Sequence, residues 1–460
     1  MKALVLLSGL GLLALLAEIF RFKRALMPLA LLGLIITFLI TVFDWNTNIT
    51  HFGMMRFDNF AVAFTAVMTA VAFFWFLSSE SFFQEESSLA DHFALIFFAL
   101  AGGVVLVSYT NMAMLFIGIE ILSISMYVLA GSRKSDLFSN EAAFKYFLMG
   151  SFATGFLLFG IALIYGVTGS FDLAQIGEYV SANGGASNPM FLAGVLMMLI
   201  GLSFKVSAAP FHFWAPDVYQ GSPTPVTAFM ATIVKTAAFA GFFRLFFLSF
   251  SPAANDWSSV VWALAAITLI LGNVTAVYQS NVKRMLAYSS VAHAGYMMLA
   301  LLAISGTAAT SILYYTIAYS VGSLAAFTVL QIVGNARGTD SVDAFNGLGK
   351  RNPLLAVAMT VALLSLAGIP PTGGFFAKYF IFTTAIQADH IWIVLIAVIG
   401  SLISVYYYFR IIIAMFFRES MDDTIEVSPM QKLLLVMTIL LTLALGILPD
   451  LITRLSLFNR

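Results

Sequence analysis

The chain has 460 residues, of which 61% are hydrophobic and only 10% charged, against roughly 25% charged residues in soluble domains. Formal net charge is +0 and cysteine is absent, which excludes a basic nucleic-acid surface, thiolate ligation of zinc or iron–sulfur clusters, disulfides and thiol catalysis. With a mean hydropathy of +0.97, this is the composition of a membrane protein.

The first apolar run, Ala3 to Ala17, is followed by Glu18 and the Arg21, Lys23, Arg24 cluster rather than by a small-residue cleavage site, so it reads as a transmembrane helix and not a signal peptide. A span needs about 20 mainly apolar residues. Such runs follow near 26–43, 60–79, 89–109, 111–131, 142–167, 190–213, 225–249, 257–278, 282–303, 307–334, 353–387, 390–417 and 430–456, about fourteen in all. They lack the period-two alternation of a barrel, which leaves helices as the spanning structure. The fold expected is an all-α polytopic bundle.

Lys and Arg are distributed unevenly between these spans. The odd-numbered connections hold Arg21, Lys23, Arg24, Arg133, Lys134, Lys283, Arg284, Arg337, Lys350, Arg351 and Arg418, and the even-numbered ones hold Arg56. The positive-inside rule puts the odd connections in the cytoplasm and both termini on the other side. All connections are short. The Gly-containing stretch Asn183 to Ala186 reads as a turn and not a phosphate cradle, because no strand precedes it and no G-x-G-x-x-G opens a helix there.

An ionisable side chain at bilayer depth costs at least ~2.5 kcal/mol, so each one needs a reason. Glu120 is the acidic residue at mid-span, in the fifth helix; Lys205, Lys235 and Lys378 lie within the seventh, eighth and twelfth, and His293 at the centre of the tenth. The three lysines are too deep for comfortable snorkelling, over ~10 Å from either interface at helical rise. Lys145 and Arg410 lie nearer helix ends, where snorkelling and function both stay open, and snorkelling is the favoured reading of Arg244. The five histidines show no paired ligand spacing, and a metal site is not expected.

Two spans are interrupted. Pro210 removes the donor that the carbonyl of Val206 needs and predicts a break one turn after Lys205. In the twelfth span Pro370, Pro371, Gly373 and Gly374 precede Lys378 and free the carbonyls of Leu366 and Ala367. Broken backbone in a membrane is tolerated inside protein or beside water, so each break marks a hydrated path next to a lysine, the alternative being a kink of packing origin. Glu120 to Lys205 and His293 to Lys378 both span 85 residues (205 − 120 and 378 − 293), an offset of 173 between the halves (293 − 120). This suggests two five-helix repeats, 89–249 and 257–417, flanked by a three-helix segment, 1–88, and a last helix in 418–460. Five being odd, the repeats are inverted.

The stretch Phe211 to Ala240, F-H-F-W-A-P-D-V-Y-Q-G-S-P-T-P-V-T-A-F-M-A-T-I-V-K-T-A-A-F-A, resembles the signature of the subunit N family of respiratory complex I, the NADH-quinone oxidoreductase. Asn281 to Tyr296 and Gly368 to Lys378 are similar to the family's tenth and twelfth helices and recur in sister subunits and in multisubunit cation/proton antiporters. Lysine at 378 argues against subunit M, and the lack of a long extension after Arg460 against subunit L. The resemblance implies an antiporter-like fold with two half-channels joined by a polar axis. It implies Glu120 and Lys205 as an ion pair whose separation releases a proton, Lys235 as the connecting lysine, His293 as a relay and Lys378 as the exit lysine. Tyr314, Tyr315 and Tyr319 are read as stacked aromatics rather than supports of a water path, and His212, close to the break, stays ambiguous. It further implies multi-pass insertion in a bacterial inner membrane beside an M-type antiporter-like subunit and small K/J-type subunits. FMN, iron–sulfur clusters and quinone are expected in partner subunits, lipid around the chain, and nucleic acid nowhere. The function implied is proton translocation driven by NADH oxidation and quinone reduction elsewhere in the complex. An Mrp-type cation/proton antiporter subunit and a non-pumping structural subunit remain as alternatives.

Overall fold

A computed structural model of the chain describes residues 1–84, 89–183, 188–419 and 423–458. Of the Asn183 to Ala186 stretch only Asn183 falls within the described residues. The fold is all-α: among the described residues eleven helical stretches are long and apolar enough to cross a membrane, one of them, Thr224–Val277, containing two successive spans. Those two are a run from Thr224 to Phe250 with π-helical turns at Met230–Val234 and Phe246–Phe250, and the helix Ala254–Val277. The interrupted seventh and twelfth spans account for the rest, which is compatible with fourteen.

The sequence sets the helix ends. Asp58, Asn111, Asp136, Asn188, Asn281 and Ser305 each accept a backbone N–H of the first turn, satisfying a donor that would otherwise be orphaned. The sixth and eleventh spans, Leu137–Thr168 and Gly306–Arg337, both have 32 residues and end on glycines with φ +69°, Gly169 and Gly338, a conformation that favours glycine. One element was not anticipated: residues Ile49–His51 and Met55–Phe57 form an antiparallel hairpin in the second connection.

The tenth span, Val282–Leu302, and the eleventh lie at the centre of the bundle and are almost wholly buried, whereas the first, second, sixth, thirteenth (Ile391–Phe417) and fourteenth (Pro429–Ile447) form the rim. Leu12, Ile36, Phe152, Leu402 and Leu440 on the rim are exposed, as lipid contact requires. This layering explains how Ser290 and His293 are tolerated: other helices, not hydrocarbon, surround them.

The two halves repeat at an offset of 170. Asn111 and Asn281 cap the fifth (Met112–Ala130) and tenth spans (281 − 111). Gly102 in the fourth span (Leu89–Ser108) and Gly272 in the ninth (272 − 102) press on the next helix so closely that an added Cβ would stand 2.7 Å from the backbone nitrogen of Leu122 and 2.6 Å from that of Ala292. Around Asn111 and Asp172, Met112 N–H donates to Phe171 O and Leu173 N–H to Thr110 O, and around Asn281 and Ser341, Val282 N–H donates to Asp340 O and Val342 N–H to Ser280 O, the same bridge in each half with its far side offset by 169 (341 − 172). This corrects the offset of 173 inferred from the ionisable residues. The structural counterpart of Glu120 is Ser290 and that of His293 is Ser123, one helical turn from the pairing that equal spacing suggested.

Candidate functional site

Both interrupted spans open at mid-membrane. The seventh consists of Pro189–Lys205 and Trp214–Gly221, so the break begins directly at Lys205 rather than one turn later. Ser207 adopts φ +59° and its hydroxyl bonds the carbonyl of Val206, while the N–H of Ala209 finds Thr268 Oγ1 at 2.8 Å. The chain has already left the helix before Pro210, which follows Ala209 through a cis peptide bond. The twelfth consists of Pro353–Ala367 and Gly373–Gln387, with a second cis bond at Pro370–Pro371.

Each break holds a buried ammonium at the end of its first half-helix. Lys205 is the last residue of that half-helix, and its Nζ donates to Ser123 Oγ at 2.8 Å. Lys378 belongs to the second half-helix and reaches back, donating to the freed carbonyl of Ala367 at 2.7 Å and to Ser401 Oγ at 2.8 Å. The Lys378 cation thus sits on a helix C-terminal carbonyl, where the helix dipole stabilises positive charge. Lys235 lies between the two lysines, directly after a π-helical turn; its Nζ donates to Ser290 O at 2.5 Å, to Ser290 Oγ at 2.6 Å and to Ser207 Oγ at 3.5 Å.

Hydroxyls continue the line. Tyr319 donates to Ser290 Oγ at 2.9 Å. His293 Nδ1 meets Tyr315 OH at 2.6 Å and its Nε2 lies 3.4 Å from Tyr408 OH, which bonds Ser289. The ring of Tyr296 packs edge-on against His293 and has the Lys378 ammonium 4.8 Å from its centre. Lys205, Lys235, His293 and Lys378 thus form a line of buried polar groups, with no unbroken hydrogen-bond chain between them among the described residues. Tyr315 and Tyr319 belong to it through their hydroxyls, which corrects their reading as stacked aromatics, whereas Tyr314 donates to Leu445 O and is tied to the fourteenth span.

Glu120 is half-buried, and one carboxylate oxygen, Oε1, has no hydrogen-bond partner. It makes no salt bridge with Lys205 among the described residues; Ser123, one turn along the same helix, takes the ammonium instead. The direct ion pair expected is therefore not formed: Ser123 accepts from Lys205 and donates to the carbonyl of Ile119.

The remaining candidates separate from the line. Lys145 bonds Asp217 at 2.6 Å and Glu141 at 2.7 Å, and Arg284 joins Asp217 at 2.8 Å, lining a cavity of about 150 Å³ at the end of the break nearest Lys145. His212 is buried at the break with Nδ1 unpartnered. Arg410 bonds the carbonyls of Val277 and Gln279. Arg244 does not snorkel: it is fully buried, with its guanidinium on Asp58 at 2.7 and 3.1 Å and on Tyr109 O at 2.8 Å. Asp58 comes from the third span, Asn59–Ser78, 186 residues away, so only the tertiary fold pairs them. Among the described residues no cluster of His, Asp or Glu is arranged to hold a metal.

The serines Ser123, Ser207, Ser290 and Ser401 were missed in the sequence because a membrane helix carries many hydroxyls bonded to their own backbone. No spacing pattern marks these four, which lie on four different spans; the four-residue spacing of hydroxyls on the eleventh span was a signal only for Tyr315 and Tyr319.

The family described as NADH:quinone oxidoreductase/Mrp antiporter matches residues 110–404. The chain belongs to this family. It is 45% identical to NADH-quinone oxidoreductase subunit N of Cytophaga hutchinsonii, over 99% of this chain and 100% of that one. It is 42% identical to the subunit N of Flavobacterium psychrophilum, over 99% and 100%. The solved respiratory complex I from Thermus thermophilus contains a chain that superposes with a TM-score of 0.85 at 33% identity, over 98% of both chains. The family match begins at the loop before Asn111 and ends in the thirteenth span, so it encloses Glu120, Lys205, Lys235, His293 and Lys378, while Tyr408 lies just beyond it.

Proposed function

We propose that this chain is a proton-translocating membrane subunit of an NADH-quinone oxidoreductase, in which NADH oxidation and quinone reduction in partner subunits drive protons through its buried line. One observation carries the reading: three lysines sit at bilayer depth held by hydroxyls and carbonyls instead of carboxylates. A structural lysine in such a place would be paired with an acid, as Arg244 is with Asp58, because an unpaired buried charge is costly. A lysine that gains and loses a proton in turn has no need of a permanent counter-ion.

In this reading protons arrive from the side of Lys145 and Asp217 and load Lys205; Lys235 and His293 carry them laterally and Lys378 ends the line. Glu120 sets the charge balance at Lys205. His212 is a hydrogen-bonding side chain at the inlet, and Lys145 fixes the charge of the mouth. The positive-inside bias supports a cytoplasmic inlet in an inner membrane with both termini outside. The structural offset supports two inverted units, 89–249 and 257–417, within a chain flanked by 1–88 and 418–460. The redox centres are assigned to partner subunits: with no cysteine in the sequence, this chain offers no thiolate to an iron–sulfur cluster.

The test is initial proton uptake per NADH oxidised in proteoliposomes holding the whole complex with Lys205→Ala or Lys235→Ala, with a native gel to establish assembly. Uptake should fall while the complex stays intact. Unchanged uptake in both variants would sink the reading, and cation exchange without NADH or quinone would point to an antiporter instead.

A further inference from the structure

The eleventh span bears hydroxyls at every fourth position, Thr307, Ser311, Tyr315, Tyr319 and Ser323, and residues four apart lie on one helix face. Their partners change along the helix. Tyr319 bonds Ser290, which holds Lys235. One turn away Tyr315 bonds His293, and one turn further Ser311 Oγ meets Thr384 Oγ1 at 3.1 Å, both residues buried. Beyond this pair, Thr307, Thr310, Thr383 and Gln387 line a cavity of about 610 Å³ that also takes in Ser311 and Thr384. The cavity lies at the start of the eleventh span, on the opposite side from the Asp217 mouth by the positive-inside reading.

We propose that this hydroxyl face is a proton outlet that leaves the buried line at His293 and Tyr315, with the Ser311–Thr384 pair as its gate and the hydroxyl-lined cavity as its vestibule. The inference rests on the proton-translocation reading and adds to it an exit whose use depends on Lys378, the end of the line. A hydroxyl suits the task because it accepts a proton on one lone pair while releasing its own, so each step conserves charge and leaves the residue unchanged. Tyr315 and Ser311 are four residues apart on one face, about 6 Å of helical rise, and water entering from the cavity would join their hydroxyls. No carboxylate is needed, and none lines the cavity.

Two measurements on the assembled complex test this. In proteoliposomes, the double variant Ser311→Ala with Thr384→Val should lower proton uptake per NADH as far as Lys378→Ala does, and restoring one hydroxyl with Ser311→Thr should recover it. Because the chain has no cysteine, Thr383→Cys gives a new thiol whose labelling is read against the unsubstituted complex. A membrane-impermeant methanethiosulfonate should reach it from the non-cytoplasmic face only. Normal uptake in the double variant, or labelling solely from the cytoplasmic face, overturns the outlet. If Lys378→Ala also pumps normally, the failure belongs to the translocation reading itself.

Discussion

The two broken helices use one device in two chemical settings. At Lys205 the cation ends its own half-helix, rests on Ser123 and lies near a carboxylate one turn away, and its nearest mouth is charged, with Lys145, Glu141, Asp217 and Arg284. At Lys378 the cation reaches back to the carbonyl of Ala367 and to Ser401, and the cavity beyond Thr384 on the same half-helix is lined by hydroxyls, an amide and apolar side chains, with Arg454 as its charged side chain among the described residues. The difference teaches that a helix break supplies a place for a cation, while the neighbours decide what can move it. Lys205 can respond to a change of charge at Glu120. Lys378 can respond only to rearranged hydrogen bonds or to the loss of its own proton.

The sharpest way to break this comparison is Lys378→Arg. Arginine satisfies freed carbonyls as well as lysine but does not surrender its proton in a protein. We expect an assembled complex whose proton uptake per NADH is as low as that of Lys378→Ala. Near-normal uptake with arginine would make the residue a structural cation and remove the functional half of the contrast.

Glu120→Gln should act less severely, because Ser123 still holds Lys205. We expect assembly to be retained and uptake to slow about tenfold, equivalent to ~1.4 kcal/mol on the barrier. Wild-type uptake would mean that the carboxylate does not govern Lys205, and a complete block would mean that Ser123 does not hold it.

Asp217→Asn removes ion pairs that are roughly one-third exposed, worth at most about 1 kcal/mol each. Uptake should fall by less than about twofold, and the difference from wild type should shrink in high salt as exposed charges are screened. A block as deep as that of Lys378→Arg would turn the mouth into part of the relay.

Arg244→Met should change uptake per NADH least of all, since Arg244 lies off the line. It leaves Asp58 without its buried partner, so stability should drop by about 3–5 kcal/mol, read as a lower unfolding temperature of the purified complex. The companion change Asp58→Asn should recover part of that loss. Failure of the pair to couple would show that Arg244 is held by the carbonyls of Tyr109 and Val107 more than by the carboxylate.

Composition and apolar run length by themselves determined a helical membrane protein, the approximate spans and the two interrupted helices. Those properties follow from transfer free energy and from proline's missing N–H, which act locally. The same local reasoning picked out Glu120, Lys205, Lys235, His293 and Lys378, because a charge in an apolar run is conspicuous whatever surrounds it. Only the tertiary structure decided what each one touches. Sequence depth could not distinguish Arg244, paired with Asp58 across 186 residues, from Lys235, paired with hydroxyls and a carbonyl. It also aligned Glu120 with His293 by equal spacing, whereas the caps and glycine contacts align Glu120 with Ser290. Serines and threonines carry no desolvation penalty large enough to mark them in a helix, since each can bond its own backbone, and a tyrosine is masked by its apolar ring. Their part in the line emerges only where packing turns the faces of the fifth, tenth and eleventh helices toward the two breaks.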